Sequence, residues 1–335
     1  MSIKSIIKIF LPKLFLNWFR ARKYKQICNA CYNYDAERFN LYSNAYNKWN
    51  NPEKLIGQII AEYHALEKGL TMPEMRLGFG QGLLCDLIGH CNLYATRFDR
   101  NNEQLLYAIS IIGEYKEEHD KNNFKIEEKL LQSLISLLSE YKTIVPSKQL
   151  ILTKAEYFKN TYSSFKDFSN SRHSLRNFSG EIDVELIERA ITLAQNSPSA
   201  CNRQPSRVYI LQDKKIIEQV LEIQTGNRGF GHFADKLLVL TAELGLFFSL
   251  NERNDVYVNG GIYAMNLLYA LHYYQIGACS LNWCSMPEQD LQLRKRCNIR
   301  PSETIIMIIA CGGVPDEFKL ALSPKNHYSN IIKII

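Results

Sequence analysis

Ser171-Arg172-His173-Ser174-Leu175-Arg176-Asn177-Phe178 sets three side-chain donors, Arg172, Ser174 and Arg176, at alternate positions. Alternate residues of an extended segment share a face. The spacing therefore predicts a row of donors along one side of a strand-like stretch. Such a row suits a ligand that carries a phosphate, a polyol and a polar ring, because the planar fork of arginine takes two phosphate oxygens at once. A solvated basic turn carries the same pattern, and the octapeptide alone does not separate the two.

A second block follows at Asn196-Ser197-Pro198-Ser199-Ala200-Cys201-Asn202-Arg203-Gln204-Pro205. Asn202 and Gln204 offer amide donors and acceptors that can read a ring edge bearing C=O and N–H groups. Asn, Ser and Pro are also ordinary turn formers. Around these blocks helices alternate with short strands. Asp183 is placed to cap a helix carrying Leu186, Ile187, Ala190, Ile191 and Ala194 on one face. Strands are expected at Arg207–Leu211, Leu237–Thr241, Ala278–Trp283 and Thr304–Cys311, and a helix at Lys214–Ile223. Asn259 to Gln275 is apolar almost all round, which predicts a buried central helix closed by Gly277. The plan is α+β.

Taken together and in this order, the two blocks resemble the nitroreductase family. Further features agree: Gly260-Gly261 opening a long apolar helix with Asn266-Leu267-Leu268, Gly277 after it, a strand from Ile305 ending at Gly312-Gly313, then Pro315, and Ser323-Pro324-Lys325 in the tail. The resemblance spans roughly Phe165 to the C-terminus. It implies a mixed sheet flanked by helices, a homodimer, FMN at the subunit interface and NADH or NADPH as electron donor. By position, Arg172 would bind the FMN phosphate with His173 beside it, and Ser174 the ribityl chain. Arg176 would lie near the pyrimidine end of the ring, where a fixed cation stabilises charge that develops on reduction. Asn202 and Gln204 would contact ring edge or ribityl, and Leu281 and Asn282 would pass near N5. Lys325 stands where the family commonly has an arginine; it keeps the charge and loses the fork. Phe230, Phe233 and Trp283 are candidates to line the cavity, though a core aromatic is the plainer reading of each. Cys201 has no evident base beside it and reads as a packed thiol. The Thr225–Gly231 loop is glycine-rich without a dinucleotide pattern and could act as a lid. Hydride transfer in and out of FMN needs no catalytic acid, base or nucleophile from the chain, and none is assigned.

Upstream, residues 26–164 form the second expected region. Asn51-Pro52-Glu53 is a helix start. Leu83–Phe98, Glu103–Tyr115 and Ile126–Tyr141 read as further helices, and Pro146–Ser164 as a connection to a domain covering 165–335. His64-Ala65-Leu66-Glu67-Lys68-Gly69-Leu70, with Pro73 and Arg76-Leu77-Gly78-Phe79-Gly80, could gather His, Glu, Lys and Arg at one pocket. A helix end followed by a Gly-rich turn is the plainer reading of the same residues. The segment resembles one in nitroreductase-like proteins associated with bacterial surface-polysaccharide synthesis.

Residues 1–25 mix Phe10, Phe15, Trp18 and Phe19 with seven lysines and arginines, and no acid precedes Asp35. Apolar positions at three- and four-residue steps suit a basic amphipathic helix, either lying on an anionic membrane or packed on its own domain. Lys8, Pro12 and Lys13 break the apolar stretch, and no small-residue cleavage site follows, unlike a secretory signal. The 335 residues carry 40 basic and 34 acidic side chains, an excess of +6 that by itself points to no nucleic acid. Nine irregularly spaced cysteines suit reduced thiols in the cytoplasm rather than a disulfide scaffold, and Cys28-x-x-Cys31 has no second pair to complete a metal site. The sequence thus reads as an FMN-dependent oxidoreductase passing electrons from NAD(P)H to a small-molecule acceptor. It would be cytoplasmic or peripheral at the inner face of the membrane. The alternative is a flavin-binding, membrane-associated scaffold or sensor without turnover.

Overall fold

The computed structural model describes residues 13–45 and 49–335. Two compact units part between Gln58 and Ile59. In the first, helix α1 (Lys13–Tyr42) is followed by the start of α2 (Pro52–Leu70). The expected basic amphipathic segment falls in part on residues 1–12, outside the described residues. Its remainder forms the start of α1, which runs on to Tyr42. Tyr24, Ile27, Tyr32, Tyr34 and Phe39 continue as exposed residues around it. Phe15, Trp18 and Phe19 do share a face; all three are exposed and pack on one another with ring centroids 5.6–5.8 Å apart. Cys28 and Cys31 lie on this helix as free thiols.

The second unit begins with helices. After α2 come α3 (Gln81–Arg97), α4 (Glu103–Lys121) and α5 (Glu128–Glu140). Asn102 caps α4, its side chain accepting from Gln104 N at 3.0 Å and Leu105 N at 3.3 Å, which satisfies two of the orphan donors of the first turn. Leu130, Leu134 and Leu137 recur at helical spacing and form the buried stripe of α5. Gly69, in the last turn of α2, lets the Phe79 ring lie against the helix; a Cβ there would stand 2.0 Å from its Cε2.

Pro146–Ser164, read from the sequence as a connection with room for one helix, has that helix and also a strand. It holds strand β1 (Leu150–Thr153) and short helix α6 (Lys154–Phe158), joined by a capping box in which Thr153 and Glu156 satisfy each other's backbone N–H. Helix α7 (Phe165–Ser171) leads into the Arg172 segment. Then follow α8 (Val184–Ala194), β2 (Ser206–Leu211), α9 (Lys214–Ile223), β3 (Lys236–Glu243), α10 (Asp255–Tyr273), β4 (Gly277–Asn282), α11 (Pro287–Cys297), β5 (Glu303–Gly312) and β6 (Glu317–Leu320). Asp183 caps α8 as anticipated, accepting from Glu185 N at 3.0 Å.

The main sheet has the order β2-β3-β5-β4, and β1 pairs with β6 in a separate two-stranded sheet. Every described pairing is antiparallel rather than mixed. Between β2 and β3, for example, α9 and the 224–235 loop bring the chain back to the end of the sheet it left, so Leu211 pairs with Leu237. The sheet is buried on both faces, as its side-chain alternation requires. Leu237, Val239, Ile308 and Ala310 face a core with Ile217 and Val220 of α9 and Leu293 of α11. Leu238, Leu240, Ile309 and Cys311 face α8 and α10.

Two expectations need correction here. Gly277 does not close α10: the left-handed position is Gln275 (φ 57°), and Gly277 opens β4. Glycine is needed there for close approach, since a Cβ would lie 2.5 Å from Leu175 Cδ2 and 3.0 Å from Gly312 O. Nor is α10 buried all round. It buries Gly260, Tyr263, Ala264, Leu267 and Leu271, but Val258, Ile262 and Met265, one turn apart, are 57%, 42% and 37% exposed.

Candidate functional site

After α7 the chain turns extended at Arg172 (φ −77°, ψ 116°). Leu175 N donates to Ala278 O at 3.0 Å and Tyr157 Oη to His173 O at 2.9 Å, which fixes the segment beside the edge strand β4. Leu175 and Phe178 point into the core, whereas Arg172, Ser174 and Arg176 line a cavity of about 920 Å³. The alternation expected from the octapeptide is present, and His173 also reaches the cavity wall. This volume lies in the range of small-molecule and cofactor sites.

Leu281 and Asn282 of β4 line the same cavity, as do Gly226 and Phe230 from the glycine-rich loop. That loop is braced. Gln224 is buried, donates through Nε2 to Asn282 O at 3.0 Å and accepts Gly226 N at 2.8 Å. Phe233 and Trp283 instead pack against the core. Lys325 enters from the tail as an exposed side chain at the cavity mouth.

The tail is held by the helical region. Glu67, fully buried on α2, accepts Ser323 N at 2.7 Å, Tyr107 Oη at 2.8 Å and His64 Nδ1 at 2.7 Å. Gln149 Oε1 accepts Leu322 N at 3.0 Å. Burial alone would raise the Glu67 pKa, but the hydrogen bonds from His64, Ser323 and Tyr107 outweigh it and hold the carboxyl below the ordinary glutamate range. His64 and Lys68, one turn apart on α2, line the cavity, and Arg76 does not. The plainer reading of this stretch as a helix end and turn thus missed two wall residues. The His-x-x-Glu-Lys spacing was the available signal.

The cavity is electropositive. Among the described residues Lys68, Arg172, Arg176 and Lys325 line it with no carboxylate, and none of the four forms an ion pair there. The His173 pKa is held below the usual histidine value by burial first and then by Arg172 and Lys325. Behind the wall, His272 Nε2 meets Ser171 Oγ at 2.9 Å while Nδ1 is buried without a partner. Burial, then Arg172 and His173, push its pKa down to about 4. Among the described residues no cluster of three or more His, Cys, Asp or Glu is arranged to hold a metal ion.

Asn202 and Gln204 are not brought to this cavity within one chain. Gln204 lines a second cavity of about 310 Å³ with Ser197 and Tyr263, and both amides are exposed. Their loop is well held. Ala200 N donates to Asn259 Oδ1 at 2.8 Å, Arg203 donates to Leu246 O at 2.8 Å and pairs with Glu252, and Cys201, Asn202 and Gln204 all take positive φ. Non-glycine residues in that region are uncommon and cluster at functional loops. Cys201 is exposed.

The sheet covered on both faces and the Arg-x-Ser-x-Arg segment beside its edge strand both fall within the part of the chain that matches a known family. Residues 170–313 match the family model described as "Nitroreductase family", and this part of the chain is a nitroreductase-family domain. Among solved structures, the chain is similar to a nitroreductase family protein from Streptococcus pneumoniae TIGR4, with 18% identity and a TM-score of 0.45 over 51% of this chain and 100% of that one. It is also similar to an FMN-dependent nitroreductase from Clostridium difficile R20291, with 21% identity and a TM-score of 0.40 over 46% of this chain and 89% of that one. No curated protein matches the chain.

Proposed function

We propose that the protein is an FMN-dependent oxidoreductase that takes electrons from NADH or NADPH and passes them to a small-molecule acceptor. The carrying observation is the row Arg172, Ser174 and Arg176 on the wall of a cavity with four unpaired cations and no carboxylate. That donor set fits FMN. Arg172 and Lys325 supply charge for the phosphate, Ser174 a hydroxyl for the ribityl chain, and Arg176 a fixed cation for the polar end of the ring. Leu281 and Asn282 lie along the cavity at β4. FMN, when bound, would supply two-electron chemistry between a nicotinamide and an oxidised acceptor. The chain's own part is to bind, orient and screen: the buried wall of Phe230 and Leu281 excludes water beside the cations.

A homodimer fits the two features that one chain leaves unused. Val258 and Ile262 give a second copy an apolar strip on α10, and the exposed Asn202 and Gln204 are placed to reach a partner's cavity. The likeness of the His64–Gly80 stretch to polysaccharide-associated relatives supports an acceptor in that metabolism. Phe15, Trp18 and Phe19 with Arg20, Arg22 and Lys23 support peripheral contact with an anionic membrane. Among the described residues no helix is long and apolar enough to cross a membrane. Steady NAD(P)H oxidation on addition of a quinone or nitroaromatic acceptor is the expected result. Bound FMN with no turnover would instead favour the scaffold or sensor reading.

A further inference from the structure

Lys68 belongs to the helical region, outside the 170–313 family match, yet it lines the cavity that holds Arg172, Ser174 and Arg176. Its position is fixed from three sides. The preceding residue, Glu67, is locked by Ser323, Tyr107 and His64. Its own carbonyl accepts Thr71 N at 3.1 Å and Thr71 Oγ1 at 3.0 Å. Phe79 packs against Gly69 next to it. Among the described residues Lys68 has no ion-pair partner, and it is half-buried. Holding an unpaired cation beside another cation is costly in an empty pocket and becomes favourable only when an anion joins them.

The location within the cavity is also informative. Burial first, and then the Arg176 charge on the same cavity wall, hold Lys68 below the ordinary lysine pKa. Lys68, Arg176 and Arg172 all act on the Cys279 thiol, which burial pushes up and these cations pull down. Arg172 and Lys325, by contrast, act together on His173. Lys68, Arg172 and Arg176 line the same cavity wall as Cys279, and Leu281 and Asn282 of β4 follow along it.

We propose that Lys68, donated by the N-terminal helical region, is a cofactor-binding residue that acts beside Arg176 on the polar end of the flavin ring and favours the reduced over the oxidised cofactor. This rests on the FMN reading above. A hydride from NAD(P)H carries two electrons and one proton to N5, NAD(P)+ departs, and the ring gains one negative charge spread over N1, C2 and O2. A second cation at that end interacts more strongly with the reduced ring than with the neutral oxidised one. The helical region is then part of the flavin pocket and not an appendage to it.

The test compares full-length protein with its Lys68→Gln, Lys68→Met and Lys68→Arg variants. Dissociation constants are measured for oxidised FMN and, anaerobically, for chemically reduced FMN. The two neutral variants are expected to keep oxidised-FMN affinity within about twofold and to lose about tenfold for reduced FMN, the lower end of what one nearby charge does. Lys68→Arg is expected to restore most of the loss. Urea midpoints of the apo variants equal to wild type would show that packing is intact. Equal weakening of both redox states, or no change in either, would overturn the proposal while leaving the FMN reading standing. A wild-type chain that binds neither form would overturn both.

Discussion

Replacing Glu67 by Gln perturbs the joint between the helical region and the C-terminal tail with almost no change in shape. The carboxylate accepts from Ser323 N at 2.7 Å, Tyr107 Oη at 2.8 Å and His64 Nδ1 at 2.7 Å. Glutamine keeps one acceptor oxygen and turns an amide N–H2 toward the others, so at least one donor loses its partner in a fully buried position. A hydrogen bond to a charged group contributes about 1.5–3 kcal/mol, and a buried donor left unmade adds to the loss, giving about 2–4 kcal/mol for Glu67→Gln. In melting temperature that is a drop of about 3–6 °C for a chain of this length. Urea unfolding of the apo protein measures it, with hydrogen exchange at the Ser323 amide as the local readout. Exchange should accelerate at Ser323, and FMN affinity should fall because Lys325 follows two residues later. The same carboxyl makes stability fall in acid. Its folded pKa is depressed, so its contribution is present above the ordinary glutamate pKa and is lost as pH drops through the lower folded value. A Glu67→Gln protein that unfolds within about 0.5 kcal/mol of wild type, the range of inert surface changes, with Ser323 exchange unchanged, would refute this reasoning.

Other perturbations probe separate parts of the structure. The double variant Arg172→Ala and Arg176→Ala should lose FMN retention while the apo protein keeps its urea midpoint, since neither guanidinium has an ion-pair partner to strand; retained flavin would remove these residues from the site. His272, with its pKa pushed down to about 4, leaves the folded chain one proton short of the unfolded chain below the ordinary histidine value. Stability should therefore fall by about 1.4 kcal/mol per unit as pH drops from about 6.5 towards 4, and His272→Gln should flatten that slope. An unchanged slope would show that His272 is protonated without penalty. Gly277→Ala should cost about 1–3 kcal/mol, because its Cβ would press on Leu175 Cδ2 and Val314 Cγ2, and should weaken FMN binding through the Arg172–Arg176 segment. A neutral result would mean that β4 shifts freely.

Much of the fold was legible because it rests on local signals. Asp183 capped its helix, Lys214–Ile223 fell on a helix, and the apolar run Leu237–Thr241 became a strand buried on both faces. The donor alternation at Arg172, Ser174 and Arg176 followed from the two-residue period alone. What failed depended on distant partners. β1 and β6 are four residues each and define one another only by pairing Leu150 with Leu320 across the chain. Gly277 reads locally as a helix stop, yet its constraint comes from Leu175 and Gly312. His64 and Lys68 join the site only because Glu67 ties α2 to the tail, a contact that no local pattern encodes. Asn202 and Gln204 are tied to the pocket by resemblance; within one chain Gln204 lines a separate cavity and Asn202 is exposed.

The absorption spectrum of the purified protein, followed by acid release and identification of the chromophore, tests the central claim most directly. The account predicts FMN, recovered from the protein or bound on reconstitution, with a band near about 450 nm that NADH or NADPH bleaches. A colourless protein that cannot be reconstituted with FMN would contradict it.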